Sequence, residues 1–451
     1  MLTYELKKAP GVPLYEALYR AIRGDILSGA LTAGEKLPSK RALAQNLEIS
    51  KITVEAAYNQ LLAEGYIASR EKVGYFVEKI HHQPVAEKMP AERETLPAQS
   101  LVDLTANGSA RFPFSAWSKL QREVMLDYGE KLLLPLPNRG IPELRQAIAD
   151  HLAGFRGMKI DPENILIGAG TDFLYNILVQ LLGRDKVYAL EEPGYDKTRR
   201  IYTAAGARCV SAPMDELGVM PEGLADARVL HISPSHHFPT GIVTPVSRRL
   251  ELLGWAGEDK WIIEDDYDSE FRFHAHPVPA MQSLDRQGRV IYLNTFSKSL
   301  APSIRISYMV LPESLMERFR SELSFYSCTV PSFEQYTLAR FISGGWFEKH
   351  INRMRKYYKS CRNRLVERLE ALEYSDKLII QEKDAGLHFL VKVDTTLTDE
   401  ELTAWCLQRG VKIRALSSYY HGPVPEQDRG CLVVNYSGLR DEELDRFLPT
   451  V

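Results

Sequence analysis

No stretch of the 451 residues stays apolar for the roughly 18 positions that suggest a membrane-spanning helix, so no bilayer-embedded role is expected. Cysteine is scarce: Cys209, Cys328, Cys361, Cys406 and Cys431 stand singly, odd in number and without a Cys-x-x-Cys pair. That argues against a disulfide framework and a structural zinc, and for a reducing, cytoplasmic setting. The beginning, Met1-Leu-Thr-Tyr-Glu-Leu-Lys-Lys, has no apolar core and is not expected to act as a secretory signal. A strong excess of charge is missing too. At net −3 the whole chain does not advertise a polyanionic partner. Locally the balance differs, since residues 1–80 hold 11 Lys and Arg against 9 Asp and Glu, which favours the N-terminal end for phosphate contacts.

What is present is enough chain for two or more cores, with 45% hydrophobic and 25% charged residues, as in globular proteins. Around His81 the pattern breaks. Residues 81–100 carry three prolines, many charges and no helical period, and read as a semi-extended linker. The expected organisation is a first domain over 1–80, the linker over 81–100 and a second domain over 101–451.

In the first domain Leu14, Leu18, Ile22 and Ile26 recur at helical spacing and Gly29 closes the helix. Ser39 can cap a second helix ending near Leu47, and Ser50 a third running to about Glu64 with Val54, Ala57, Tyr58 and Leu61 inward. Two short strands around Tyr66 and Tyr75 follow. Helix, turn, helix and hairpin describe a winged helix-turn-helix, whose third helix enters the major groove of double-stranded DNA. Candidate DNA contacts are Ser39, Lys40, Arg41, Ser50, Lys51, Thr53, Tyr58, Arg70, Lys72 and Gly74, with Lys51 and Thr53 best placed for bases. A three-helix dimerisation bundle would give the same pattern.

The second domain alternates helices with apolar strands near Ile165, Val187, Val229, Trp261 and Val290, which indicates an α/β fold on a mostly parallel sheet covered on both faces. Ligands of such sheets bind beyond the C-terminal strand ends. There Lys298 follows the run Val290-Ile-Tyr-Leu-Asn-Thr, Trp261-Ile-Ile-Glu-Asp-Asp-Tyr brings acids, and Arg305 lies seven residues past the lysine. Amine, carboxylate and cation at strand ends are what pyridoxal 5'-phosphate requires. Lys298 would take the aldehyde, Asp265 the pyridinium nitrogen and Tyr267 the phenolate oxygen, with Asp266 facing away. Thr295, Ser297 and Arg305 would surround the phosphate, joined by Gly170 and Thr171 at the start of a helix near Asp172. Tyr195 would cover one ring face. A plain strand-to-helix connection, a packed tyrosine and a solvated acidic loop are the alternatives at these places. No metal site is expected.

Leu37-Pro-Ser-Lys-Arg-Ala-Leu-Ala, Ser50-Lys-Ile-Thr-Val and Ala57-Tyr-Asn-Gln-Leu-Leu-Ala-Glu-Gly resemble the GntR-type DNA-binding domain. Glu191-Glu-Pro-Gly-Tyr, Pro234-Ser-His-His-Phe-Pro-Thr-Gly, Ile263-Glu-Asp-Asp-Tyr-Asp-Ser-Glu-Phe and Thr295-Phe-Ser-Lys-Ser-Leu resemble the fold-type I aminotransferases. The whole chain is similar to the MocR/GabR family of bacterial regulators, which fuse the two. The resemblance implies cofactor on Lys298, a head-to-tail homodimer and transcriptional control rather than metabolic turnover.

Departures narrow what can be carried over. Lys51 replaces the usual arginine, and the wing reads Lys72-Val-Gly-Tyr rather than Gly-Ser-Gly, so the operator is not transferable. By the same resemblance, Val433 stands where aminotransferases clamp a substrate carboxylate with arginine, and Lys197 and Ser418 stand where the GABA-responsive members use a pair of arginines. GABA is therefore not the expected effector. Arg414 offers a substitute cation or a solvated side chain, and His237 a polar lining near the ring. Two effectors remain open, an amino acid or small peptide captured through its amine, or pyridoxal phosphate itself. The rival readings are an active aminotransferase with a DNA-binding appendage and a DNA-binding scaffold with an inert pocket.

Overall fold

Leu18, Ile22 and Ile26 repeat every four residues and are buried along one side of α1 (Leu14–Ser28). Gly29 ends that helix at φ 82°, in the left-handed region that glycine enters without a Cβ penalty. Serines start the next two helices, α2 (Lys40–Asn46) and α3 (Lys51–Ala63): Ser39 accepts the Ala42 N–H and Ser50 the Thr53 N–H, both at 3.1 Å. A hairpin of β1 (Ile67–Arg70) and β2 (Gly74–Val77) follows, antiparallel with Ile67 opposite Val77. One apolar cluster holds these pieces together, with Leu18, Leu43, Val54, Ala57, Tyr58, Leu61 and Val77 at its centre.

The computed structural model describes Leu2, Tyr4 and residues 13–71, 73–79, 101–106, 108, 111–273, 278–381, 386–439 and 442–443. They fall into two units, Met1–Leu96 and Pro97–Val451. The expected linker segment 81–100 and Lys72 lie outside the described residues.

In the second unit the described residues include an eight-stranded sheet. Its strands are β3 (Ile165–Gly168), β4 (Val187–Glu192), β5 (Arg208–Asp215), β6 (Gly218–Val219), β7 (Val229–Ile232), β8 (Trp261–Asp265), β9 (Val290–Thr295) and β10 (Ser307–Val310). Across the sheet they run β3-β10-β9-β8-β7-β4-β5-β6. Strands β5, β4, β7, β8 and β9 are mutually parallel, whereas β10 is antiparallel to both neighbours. Both faces are covered. Ile263, Ile291, Leu293 and Met309 pack with Leu174 and Leu178 of α4 (Thr171–Leu182), and Tyr292, Tyr308 and Val310 face a second cluster. Two buried faces demand unbroken apolar runs, which is why the central strands are legible without alternation.

A smaller antiparallel sheet contains β11 (Leu378–Gln381), β12 (His388–Val393), β13 (Arg414–Ala415) and β14 (Cys431–Asn435), in the order β11-β12-β14-β13. Its β12 brings His388 and its β14 brings Asn435 to the C-terminal edge of the main sheet, where Asp265 and Thr295 end β8 and β9. All five cysteines are free thiols, and no helix among the described residues is long and apolar enough to cross a membrane.

Candidate functional site

In the first unit the expected DNA contacts divide by what their side chains already do. Ser39 and Ser50 are helix caps, and the Thr53 hydroxyl turns back to Ser50 Oγ at 2.8 Å. Lys40 reaches across to Glu55 at 2.7 Å and is mostly covered, so it is committed within the unit. Arg41, Lys51 and Arg70 stand in solvent, the last with its guanidinium 4.5 Å over the Phe76 ring. Gly74 opens β2 at φ 133°. Tyr58 corrects the sequence expectation: it is wholly buried and its hydroxyl donates to the Pro38 carbonyl at 2.9 Å. The 3.6-residue period that puts Val54 and Leu61 in the core takes Tyr58 with them.

The second unit has a cavity of about 260 Å³ at the strand ends, lined by Thr171, Tyr195, Lys197, Asp265, Tyr267, Thr295, Ser297, Lys298 and Arg305 among others. Lys298 sits in a single helical turn, Phe296–Ser299, directly after β9. Enclosure pushes its ammonium down to about 8, against the opposing pull of Asp268 and Asp265. Its Nζ is 6.0 Å from the centre of the Tyr267 ring. Asp265 uses one oxygen only: Oδ2 accepts the Tyr175 hydroxyl at 2.5 Å and lies 3.4 Å from His231 Nε2, while Oδ1 is buried without a hydrogen-bond partner. Asp266 is turned out of the cavity into a buried ion pair with Arg156 at 3.2 Å, and it accepts the Tyr292 and Ser269 hydroxyls.

The cationic end of the cavity is built around α4. Gly170 precedes that helix at φ 89°, and a Cβ there would fall 2.2 Å from the Arg305 guanidinium, so only glycine lets the arginine cross the helix start. Arg305 itself takes a left-handed φ of 49°. Asp172 is shared by two cations, Lys197 Nζ at 2.7 Å and Arg305 Nη2 at 3.2 Å. Thr295 Oγ1 accepts from the Ser297 N–H at 3.1 Å and from Ser307 Oγ at 2.8 Å, leaving Ser297 Oγ buried without a partner.

Three residues given effector roles by sequence are not among the cavity's lining residues. Ser418 Oγ donates to the Ala415 carbonyl at 2.7 Å. Arg414 lies opposite Val433 across β13 and β14, yet its side chain is exposed and engaged with Tyr419. His237 is buried, held to Thr240 Oγ1 at 2.7 Å, and pushed down to about 3 by burial. Sequence reasoning missed Tyr175, His231, Asp172 and His388, all of which line the cavity.

His236, Asp268 and His388 form a buried group whose potential ligand atoms lie within 4.8 Å of one another. Zinc at bond lengths of ~2.0–2.1 Å needs ligand atoms about 3.3 Å apart. Here His236 Nδ1 is already hydrogen-bonded to Asp268 Oδ2 at 2.8 Å, the geometry of an oriented imidazole–carboxylate pair.

A helix-turn-helix reader in one unit and an aminotransferase-type cavity in the other define a class, that of regulators built on an enzyme's fold. Residues 14–77 match the bacterial regulatory proteins of the gntR family, and residues 99–451 match aminotransferase class I and II. The HTH-type transcriptional regulator YdeL of Bacillus subtilis is 38% identical, over 98% of this chain and 97% of its own. MocR of Rhizobium meliloti, named a probable rhizopine catabolism regulatory protein, is 34% identical over 96% and 92%. Among solved structures, the kynurenine aminotransferase of Pyrococcus horikoshii, crystallised with PMP, is 25% identical with a TM-score of 0.67, covering 77% of this chain and 89% of its own. The chain belongs to the MocR/GabR family, DNA-binding transcriptional regulators with an aminotransferase-like domain.

Proposed function

We propose that the second unit holds pyridoxal 5'-phosphate on Lys298, and that the state of the loaded cavity governs how the first units of a homodimer engage an operator in double-stranded DNA. One observation carries this: two buried polar atoms without partners, Asp265 Oδ1 and Ser297 Oγ, belong to residues that line one cavity with an amine of depressed basicity. Each such orphan costs roughly 1–3 kcal/mol, which a ligand offering a ring N–H and phosphate oxygens would recover. When bound, pyridoxal phosphate supplies an aldehyde that condenses with primary amines and a pyridine ring that draws off electron density.

The chain's own residues then have distinct tasks. Lys298, its basicity lowered to about 8, offers a larger share of free amine near neutral pH than an ordinary lysine. Asp265, held by Tyr175, keeps the ring nitrogen protonated, and Tyr267 donates to the phenolate oxygen. Tyr195 covers a ring face. Gly170, Thr171, Thr295, Ser297 and Arg305 neutralise the phosphate at the start of α4, where free N–H groups and the helix dipole favour an anion. Lys197, paired with Asp172 in the structure, is a cation that an acidic group on an amine effector would compete for. In the first unit Arg41, Lys51 and Arg70 contact the duplex.

Phe114, Leu126, Leu133 and Leu134 are exposed on the single chain, which suits a face covered by a second copy, and the same reading keeps the protein in the cytoplasm with its operator. Control requires only that a ligand bind two conformations unequally. A valine at 433, where the resemblance expects the carboxylate-clamping arginine, favours a second reading of the same cavity, in which pyridoxal phosphate is itself the signal. Adding pyridoxal phosphate to the purified chain tests the common core. Absorbance should rise near the visible edge, and borohydride should fix one adduct on Lys298; a colourless Lys298→Ala protein is expected, and an unlabelled wild type overturns the proposal. Operator binding that changes with the cofactor alone selects the second reading, whereas a further requirement for an amine selects the first.

A further inference from the structure

Helix α3 buries Val54, Ala57, Tyr58 and Leu61 and turns Lys51, Ile52, Asn59 and Gln60 outward. Ile52 is 77% exposed. Nothing in the folding of this unit accounts for it, because a β-branched side chain in a helix loses rotamer freedom and, in water, gains no burial in return. Its neighbours in the first turn are already engaged or charged: the Thr53 hydroxyl is tied to Ser50 and Glu55 is tied to Lys40, leaving Lys51 as the adjacent cation. The N-terminal turn of α3 therefore presents one apolar group beside one positive charge.

The major groove displays a single apolar feature, the C5-methyl of thymine, and recognition helices meet base edges with their N-terminal residues. We propose that Ile52 is a specificity-determining residue that selects a thymine in each operator half-site by packing on its methyl group, while Lys51 holds the neighbouring backbone or a guanine edge. The inference rests on α3 being the DNA-reading helix.

Selection of binding sites from a random-sequence duplex pool by the full-length protein supplies the probe. The enriched duplex is then remade with uracil for thymine at one position per half-site, and separately with 5-methylcytosine paired to guanine there. Wild type is expected to lose about three- to tenfold in affinity with uracil at one position and to recover part of that with 5-methylcytosine. Ile52→Ala, which trims an exposed side chain and keeps the helical signal, is expected to bind thymine and uracil duplexes within about twofold. Equal wild-type affinity for thymine and uracil at every position overturns the inference alone, and so does an alanine variant that keeps the methyl preference. A wild-type chain that enriches no sequence overturns the DNA-reading role of α3 as well.

Discussion

The Tyr175 hydroxyl donates to Oδ2 of Asp265 at 2.5 Å from a position 90 residues away, and so leaves Oδ1 as the carboxylate's open acceptor. Removing that donor tests whether the carboxylate is set by it. Tyr175→Phe is expected to weaken cofactor binding about tenfold, roughly the 1.5 kcal/mol of a hydrogen bond to a charged acceptor. Titration of the purified chain with pyridoxal phosphate reads it directly.

The rate of cofactor capture should report the basicity of Lys298. Below its pKa the amine is protonated and has no lone pair to attack with, so the rate should rise about tenfold per pH unit up to about 8 and flatten above it. An ordinary exposed lysine would keep accelerating to beyond pH 10. Stopped-flow absorbance across pH 6 to 10 separates the two profiles.

Asp172 competes with any anion for Lys197 and Arg305. Because these pairs are partly exposed, each is worth about 0.2–1 kcal/mol. Asp172→Asn is therefore expected to tighten binding of pyridoxamine phosphate, which has no aldehyde and reads the phosphate contacts without covalent capture, by about two- to fivefold. Fluorescence titration is the measurement.

Two first-unit variants should separate a core residue from a DNA contact. Tyr58→Phe strands the Pro38 carbonyl and is expected to cost about 1 kcal/mol of unit stability, seen as earlier urea unfolding, with the same selected DNA sequence. Arg41→Ala should leave unfolding in place and lower the slope of log affinity against log salt by about 0.9, one phosphate contact.

The central strands were readable because burial on both faces demands continuous Ile, Val and Leu, and the caps because Ser39 and Ser50 immediately precede helical periods. Strand β5 was not readable: Arg208–Asp215 carries charge at both ends and Pro213, and it is flanked only by the two-residue β6 on its outer side. Ser307–Val310 was hidden by its shortness and by its closeness to the lysine turn. The cofactor-directed set Lys298, Asp265, Tyr267, Thr295, Ser297 and Arg305 was named from strand ends alone, and those residues line one cavity. Ser418 came from the family resemblance and Arg414 from its place at a strand end, but β13 and its following turn direct Arg414 to Tyr419 and Ser418 to the Ala415 carbonyl instead.

Sequence alone determined the two kinds of domain and singled out the residues to which cofactor chemistry is assigned in the proposal, because periodicity, capping serines and strand-end lysine and aspartate are properties of neighbours along the chain. Only the tertiary structure decided which side chains remain open to a ligand. Whether Asp265 keeps a vacant oxygen, whether Lys40 is spent on Glu55, and whether Ile52 stands in water depend on contacts between residues remote in sequence. Those contacts arise from the packing of helices and sheets, and no local pattern encodes them.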